Sequence, residues 1–595
     1  MKTTFNDAFA SFRGRIFTAA ASIILSILCI FSCSKDGNGS SSSGNAPDVP
    51  SGLEIRSQGA NSATISWAAV PGADKYDWQM QQDGAGFKSG SVNKSWVLVD
   101  GLSKGHLYSF SLRACKGKAA SAYSEALEID FGPAPDPSSS ICTDSPIVLE
   151  LDAVPQLGSK GYIRIFNSSD KQVDAINLAD ISSLTLREDG QMVPSSAIGA
   201  NTVFNTAMDA IPCGSRWRIV HYTPLRVSGK SLAIVHHSGV LDFASEYYLT
   251  MDAGVIEGHP GIAKGDFSFS TKAEPGSKTA LKVSPDGSAD FSTVQGAISY
   301  AGSLGKDTPV SITLAEGSYP EMLYIRDKNN LSIKGAGKDK SVIIYGNSEK
   351  WQGGTGGGAS SKPAVGNAVG TSGGRSLALV ENCNALILED LALNNSFGDP
   401  DGQAEALYFN SGNGTHRLTI ENCALWSFQD TFECKGQVWV HNSLIAGHCD
   451  YIWGSPKACL LENCEIRSCN AGKAGFIVQA RITPGDKGFV FLGCNLTAEP
   501  GVSDGCMYLA RSGGDTNVYD NVTYINCSMS SAIAPGGWYT NPLPTPQVPN
   551  ATAGWKEYGS KDFAGNALSG HNGSGLYLNA DQAADFSSKS AVLGW

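Results

Sequence analysis

Two aspartates and two glutamines in this chain fall at spacings that gather carboxyl and carboxamide groups on one sheet. Asp430 lies seven residues after Cys423, and Asp450 lies seven after Ser443. Aligning Gly402-Gln403-Ala404, Phe428-Gln429-Asp430 and His448-Cys449-Asp450 puts Gln403 and Gln429 in one column and the two aspartates in the next. On successive rungs of a sheet, about 4.8 Å apart, the two carboxyl groups would be neighbours. Close carboxylates cannot both ionise cheaply, so one keeps its proton while the other stays charged. The charged one can act as a nucleophile and the protonated one as a general acid. The carboxamides can donate hydrogen bonds to an oxyanion. A hydrogen-bonded structural stack is the competing explanation, but such a polar cluster is costly without a task. Asp390 also sits seven after Cys383, within Leu388-Glu389-Asp390-Leu391, where the strand continues, and it reads as structural.

The elements that must position these residues announce themselves as a repeat. Val380-Glu381-Asn382-Cys383, Ile420-Glu421-Asn422-Cys423, Val440-His441-Asn442-Ser443 and Leu461-Glu462-Asn463-Cys464 end 40, 20 and 21 residues apart. Leu492-Gly493-Cys494 and Ile525-Asn526-Cys527 follow at gaps of 30 and 33. A short phrase returning near every twentieth residue is a solenoid signature, and apolar alternation around it specifies strands. The expectation is an all-β chain ending in a right-handed parallel β-helix with an internal Cys/Ser ladder; disulfides between stacked coils compete with that ladder. No His or Cys cluster has zinc spacing (Cys464 and Cys469 are badly placed), so no metal or cofactor is expected. His448 beside Cys449 lacks a third, orienting group for a thiol nucleophile.

The rest of the chain reads as delivery and spacing. With 595 residues, 42% hydrophobic and 17% charged, it is too long for one core. Its 68 glycines without a triplet period point to turn-rich β structure. A net charge of −12 argues against nucleic acid as a partner. Lys2, Arg13 and Arg15 precede an apolar run from Ile16 to Phe31, which reads as a signal peptide over 1–32. Ser32-Cys33 resembles a bacterial lipoprotein cleavage box, with Cys33 carrying the lipid and 33–50 a flexible tether. The expected location is the outer membrane, periplasm-facing or at the surface; an uncleaved anchor is the alternative. Removing Cys29 and Cys33 from the 15 cysteines leaves an odd number; Cys142 and Cys213 are a candidate bridge. Residues 51–131 form short strands with Trp67 early and Tyr108 after a Gly101-Leu102 corner, and resemble a fibronectin type III domain. Residues 141–272 resemble a bacterial Ig-like β-sandwich; their histidines, His221, His236 and His237, fit no metal motif.

From 279 to 595 the chain resembles the pectin methylesterases. Gln403-Ala404-Glu405-Ala406-Leu407, Gln429-Asp430-Thr431-Phe432 and Asp450-Tyr451-Ile452-Trp453-Gly454 look like that family's three core motifs. Asp290-Phe291-Ser292-Thr293-Val294-Gln295, Gly317-Ser318-Tyr319-Pro320-Glu321 and Tyr508-Leu509-Ala510-Arg511 resemble its earlier and later ones, in order. The resemblance implies hydrolysis of methyl esters of galacturonate in pectin, with Asp450 as nucleophile, Asp430 as acid and base, Gln403 and Gln429 as oxyanion donors, and Arg511 beside Asp450. It implies that Arg481, in Gln479-Ala480-Arg481, lines the groove. Trp453, Tyr451 and Trp538 are the expected sugar-stacking aromatics, with Phe432 behind them and a core position as the alternative for Trp538. The family's Leu-Gly-Arg-Pro-Trp is here Leu509-Ala510-Arg511-Ser512-Gly513, without its Trp. A polysaccharide lyase or glycosidase on the same helix, and a pectin-binding surface adhesin, are the rival readings. A polygalacturonase's Asn-Thr-Asp cluster is absent from the sequence.

Overall fold

The computed structural model describes residues 46–595, apart from 60, 133–139, 413, 569–570 and 572–573. The signal peptide, Cys33 and most of the tether therefore lie outside the described residues, as does most of the linker after Gly132.

The first module is a two-sheet sandwich. Glu54–Gln58, Ser62–Ser66 and Trp96–Asp100 form one antiparallel sheet, and Lys75–Gln82, Ala85–Val92 and Leu107–Lys116 form the body of the other. Trp67 and Tyr108 are core residues, as expected. The Tyr108 hydroxyl accepts a hydrogen bond from the Ser103 amide (2.9 Å), which fixes the corner. The second module packs Ile147–Glu150, Leu225–Ser228 and Ser231–Ile234 against a sheet built on Tyr162–Asn167, Gln172–Asn177 and Glu246–Met251, across one apolar core. Its hairpin Met208–Cys213/Arg216–His221 reaches away from that core into the next domain.

The rest is the expected parallel β-helix. A 17-stranded parallel sheet supplies two of its walls, and a nine-stranded parallel sheet supplies the third. Each coil runs from the nine-stranded wall to the wall containing Leu407–Asn410, and then to the wall containing Arg417–Glu421. In two coils the last two walls are one long strand, Phe432–His441 and Cys449–Glu462. Short crossovers between parallel strands favour a right-handed path.

The repeated phrase has a physical basis. Asn382, Asn422, Asn442, Asn463 and Asn526 all adopt left-handed backbone, φ from 49° to 53°, and Gly493 takes the same place at φ 63°. Asn and Gly tolerate this conformation where other residues are strained, so the phrase marks a corner. The next residue turns inward: Cys383, Cys423, Cys464, Cys494 and Cys527 are buried free thiols that donate to main-chain carbonyls. The ladder reading holds. Cys142 and Cys213 do not bridge: each is free, Cys142 donating to Gly287 and Ala289 carbonyls and Cys213 to the Arg326 carbonyl. Asp390 is structural, accepting from Asn422 at 2.5 Å.

The helix Val294–Ser303 packs on the strands Ala280–Val283, Val310–Leu314 and Leu323–Arg326 and on the hairpin strand Met208–Cys213. Its first turn is held by two carboxylates. Glu321 accepts the Val294 and Gln295 amides (both 2.8 Å), and Asp144, from the second module, accepts the Thr293 amide at 2.7 Å. Two of the sequence motifs, around Asp290 and Glu321, thus meet as a helix cap.

Candidate active site

The coil stack delivers the predicted columns. Phe432 pairs with Ile452 across the two long strands, which sets Asp430 beside Asp450. Gln403 pairs with Gln429, and Gln429 with Cys449. Both aspartates sit at left-handed corners, φ 65° and 46°, a conformation Asp tolerates better than most residues. They are 3% and 4% exposed.

Asp450 is gripped by a cation. Arg511 Nε donates to Oδ1 at 2.8 Å and its Nη2 donates to Oδ2, a bidentate pair. Gln479 Nε2 adds a third donor to Oδ2 at 3.1 Å, and Gln479 is itself held by Arg481 Nη2 at 2.7 Å. Burial raises the Asp450 pKa above its ordinary value, and the hydrogen bonds and charge of Arg511 offset only part of that rise. The Arg511 contact, which ladder spacing could not supply, is present as the resemblance implied.

Asp430 faces different neighbours. Arg375 Nη2 donates to its Oδ2 at 3.0 Å, but the same guanidinium gives Nε to Glu405 (2.8 Å) and Nη1 to Gln403 Oε1 (2.6 Å) and Glu349 (3.2 Å). Its charge is therefore shared. Burial, then the Glu405 charge, push the Asp430 pKa well above the usual carboxylate range; Arg375 opposes this and the Asp450 charge reinforces it. Glu433, three residues on in the strand Phe432–His441, is pushed up to about 9, chiefly by burial and then by Glu405. Of the pair, Asp430 is the natural proton holder and Asp450 the natural anion.

The carboxamides are prepared to donate. The Arg375 contact to Gln403 Oε1 leaves that residue's NH2 group facing Asp430, to which it hydrogen-bonds, and the Gln429 carboxamide has no hydrogen-bond partner among the described residues. Cys449 is pushed up to about 12, mainly by burial, so it is a thiol rather than a thiolate.

The aromatic assignments need correction. Tyr451 is fully buried, its hydroxyl 3.3 Å from Ser468 Oγ, and belongs to the coil core. The left-handed corner at Asp450 breaks the in–out alternation that would have turned Tyr451 outward. Trp538 is 4% exposed, stacked on Trp555 with centroids 5.1 Å apart, and donates to the His571 carbonyl. Neither can stack on a sugar. Trp453 does lie at the site, but Arg375 and Arg481 cover its ring at 5.6 and 5.0 Å, so it is no open platform. Arg481 itself is exposed at the rim. Phe432 is buried core.

Sequence reasoning missed three features. Arg375 lies in a Gly-rich loop outside the repeat, where no spacing pointed to it. Gln479 was quoted only for its neighbour Arg481. Half-buried Phe476, Tyr508 and Tyr539 form an aromatic patch, with centroids 4.9 to 5.8 Å apart, and Arg511 lies over Phe476 at 4.5 Å. Cys449 pairs with Phe476 and Phe476 with Tyr508, so the patch continues the glutamine column, and that signal was present in the repeat.

A buried aspartate pair with unequal neighbours, flanked by side-chain amides on a β-helix wall, is the equipment of a carboxylic ester hydrolase. Residues 280–590 match the family model described as Pectinesterase, and residues 48–130 match the Fibronectin type III domain. Pectinesterase 31 of Arabidopsis thaliana is 28% identical over 263 residues, 44% of this chain and 76% of that protein. Probable pectinesterase A of Aspergillus niger is 30% identical over 267 residues, 44% of this chain and 72% of that protein. Among solved structures, pectin methylesterase PemA from Erwinia chrysanthemi is similar at 24% identity and TM-score 0.42, over 54% of this chain and 98% of that one. The chain belongs to the pectinesterase family.

Proposed function

We propose that this protein hydrolyses the methyl esters of galacturonate residues in pectin, through Asp450 as nucleophile and Asp430 as acid and base. The observation that carries the reading is the unequal setting of the two acids: Asp450 in the bidentate grip of Arg511, Asp430 buried against Glu405 with a shared guanidinium.

An Asp450 carboxylate oxygen attacks the ester carbonyl carbon. The carbonyl π bond opens, and its oxygen becomes an oxyanion that takes hydrogen bonds from the Gln403 and Gln429 amides. One such donor is worth about 3 kcal/mol in the transition state. The oxyanion collapses, the bond to the methoxy oxygen breaks, and Asp430 gives its proton to that oxygen, releasing methanol. Asp430, now ionised, takes a proton from water as the water attacks the Asp450-bound acyl group. The mixed anhydride opens to galacturonic acid, which loses its proton to solvent, and the Asp450 carboxylate. Gln479, itself held by Arg481, adds a donor to Asp450, and Phe476, Tyr508 and Tyr539 offer the sugar-stacking surface where the family's motif Trp has given way to Gly513.

Methanol measured during incubation with methyl-esterified pectin tests this reading. Methanol without an ultraviolet-absorbing unsaturated product is expected. An unsaturated product would make the protein a lyase, and binding without methanol would make it an adhesin. Membrane anchoring through Cys33 at the bacterial outer membrane is a further proposal, supported by the sequence alone; fatty-acid labelling lost in Cys33→Ala tests it.

A further inference from the structure

The wall that carries the acids is covered on one side of them and open on the other. Leu323, Ile325, Ala378, Val380 and Leu407 line one small cavity with residues of the other two walls, so they point into the coil. Side chains alternate along a strand, and Tyr324, Leu379 and Tyr408 therefore point out of it. Outward side chains on a bare wall would meet solvent, yet these three are 0%, 0% and 2% exposed.

Their cover is the Gly-rich loop 353–374. A Cβ on Gly358 would stand 1.8 Å from the Tyr324 hydroxyl, and one on Gly356 would stand 3.2 Å from Leu379 Cδ2. The loop backbone thus lies directly on the wall, at an approach that Gly358 permits by having no side chain. The Gly358 amide donates to Glu381 at 3.0 Å, and the Tyr324 hydroxyl donates to the same carboxylate at 2.9 Å. Above the loop lies the second module. Ala359 and Trp217 exchange backbone hydrogen bonds (2.8 and 3.1 Å), and Arg216 donates to the Gly358 carbonyl at 3.3 Å. Phe204 and Ile219 of the module share a buried core with Val369 of the loop. Wall, loop and module make three bonded layers.

The cover reaches the site itself. The Gln403 carbonyl accepts the Glu349 amide at 3.0 Å, so the short helix Glu349–Gln352 stands where the next rung of the glutamine column would be. Behind it, the Ile198 amide of the second module donates to the Trp351 carbonyl at 3.3 Å. In the other direction the column continues through Cys449, Phe476 and Tyr508, all only half-buried, as is Tyr539. From the Gln429 rung to the Glu349 rung is two steps, about 10 Å, which holds no more than about two sugar rings. A polymer crossing the site along the coil axis needs clear wall on both sides of the reacting ester, and here it meets protein on one. Such a clash discriminates between substrates as effectively as a new contact.

We propose that the substrate groove is blind on the side of the second module, so that the enzyme de-esterifies galacturonates within about three residues of one chain end, the rest of the chain leaving over Phe476, Tyr508 and Tyr539. The identity of the substrate rests on the esterase reading; the cover does not.

The test incubates the full, unsubstituted chain with a fully methyl-esterified octagalacturonate, stops at low conversion, and locates the first freed carboxyl by tandem mass spectrometry. That carboxyl is expected among the three residues nearest one end, at least tenfold in excess of interior positions. Polymeric pectin at equal ester concentration should release methanol at least tenfold more slowly, and its prior cleavage by an endo-acting lyase should raise the rate in step with the new ends. First carboxyls spread evenly over interior positions, or a pectin rate indifferent to the number of ends, would overturn the blind groove and leave the esterase reading intact. No methanol from either substrate would overturn the esterase reading, and this inference with it.

Discussion

Asp430 and Asp450 are the same side chain one rung apart, and only their neighbours make one an acid and the other a nucleophile. The neighbours of Asp450 were half legible: Arg511 came with a recognisable motif, Gln479 did not. The neighbours of Asp430 were not legible. Arg375 reaches it from a loop 28 residues before Gln403, and nothing in loop sequence encodes a long-range contact of this kind. The roles make sharp expectations. Gln429→Ala should lower kcat about 100-fold with little change in KM; a loss below threefold would deny it an oxyanion contact. Activity should be bell-shaped in pH, because Asp450 must be ionised and Asp430 protonated. The acid limb follows loss of the Asp450 charge and the alkaline limb follows loss of the Asp430 proton, as properties of the coupled pair. Removing a nearby cation raises a carboxyl pKa. Arg511→Ala should therefore move the acid limb to higher pH, and Arg375→Met should move the alkaline limb to higher pH while lowering kcat. An unmoved alkaline limb in Arg375→Met would reduce Arg375 to a structural residue.

At the scale of the element, the coil repeat was the most readable part of the chain. Its phrase encodes a corner and an inward thiol, and both are local properties of residue type. Counting from that corner placed the acids and amides correctly because stacked coils keep register. The sugar-stacking assignment of Tyr451 failed because a second left-handed corner at Asp450, not marked by Asn or Gly, turns Tyr451 into the core. The same physics sets a stability test. Asn463 has φ 53°, and Gly493 fills the equivalent corner one phrase later. Asn463→Gly should leave thermal stability nearly unchanged, whereas Asn463→Val should cost about 1–2 kcal/mol. Equal melting temperatures for the two variants would show that the corner is not what the Asn provides.

At the scale of the whole molecule, the domain order was legible from linkers and turn signals, but the modules read as spacers. The structure gives the second module a share in the active site. Arg218, on its protruding hairpin, is 1% exposed and donates to the carbonyls of Leu323, Gly373, Gly374, Ser376 and Leu377. Four of these carbonyls, all but that of Leu323, flank Arg375, which in turn holds Asp430. Arg218→Met would strand buried acceptors at a cost of about 3 kcal/mol, and should lower kcat along with the melting temperature. A chain begun at residue 279 would lose the same support and the Asp144 helix cap, and should be less stable and less active than the full chain. The most direct test of the account remains methanol release from esterified pectin by the full-length Asp450→Asn protein. The account predicts release reduced by about 10⁴-fold or more with the melting curve retained. Turnover within tenfold of the unsubstituted protein would contradict it.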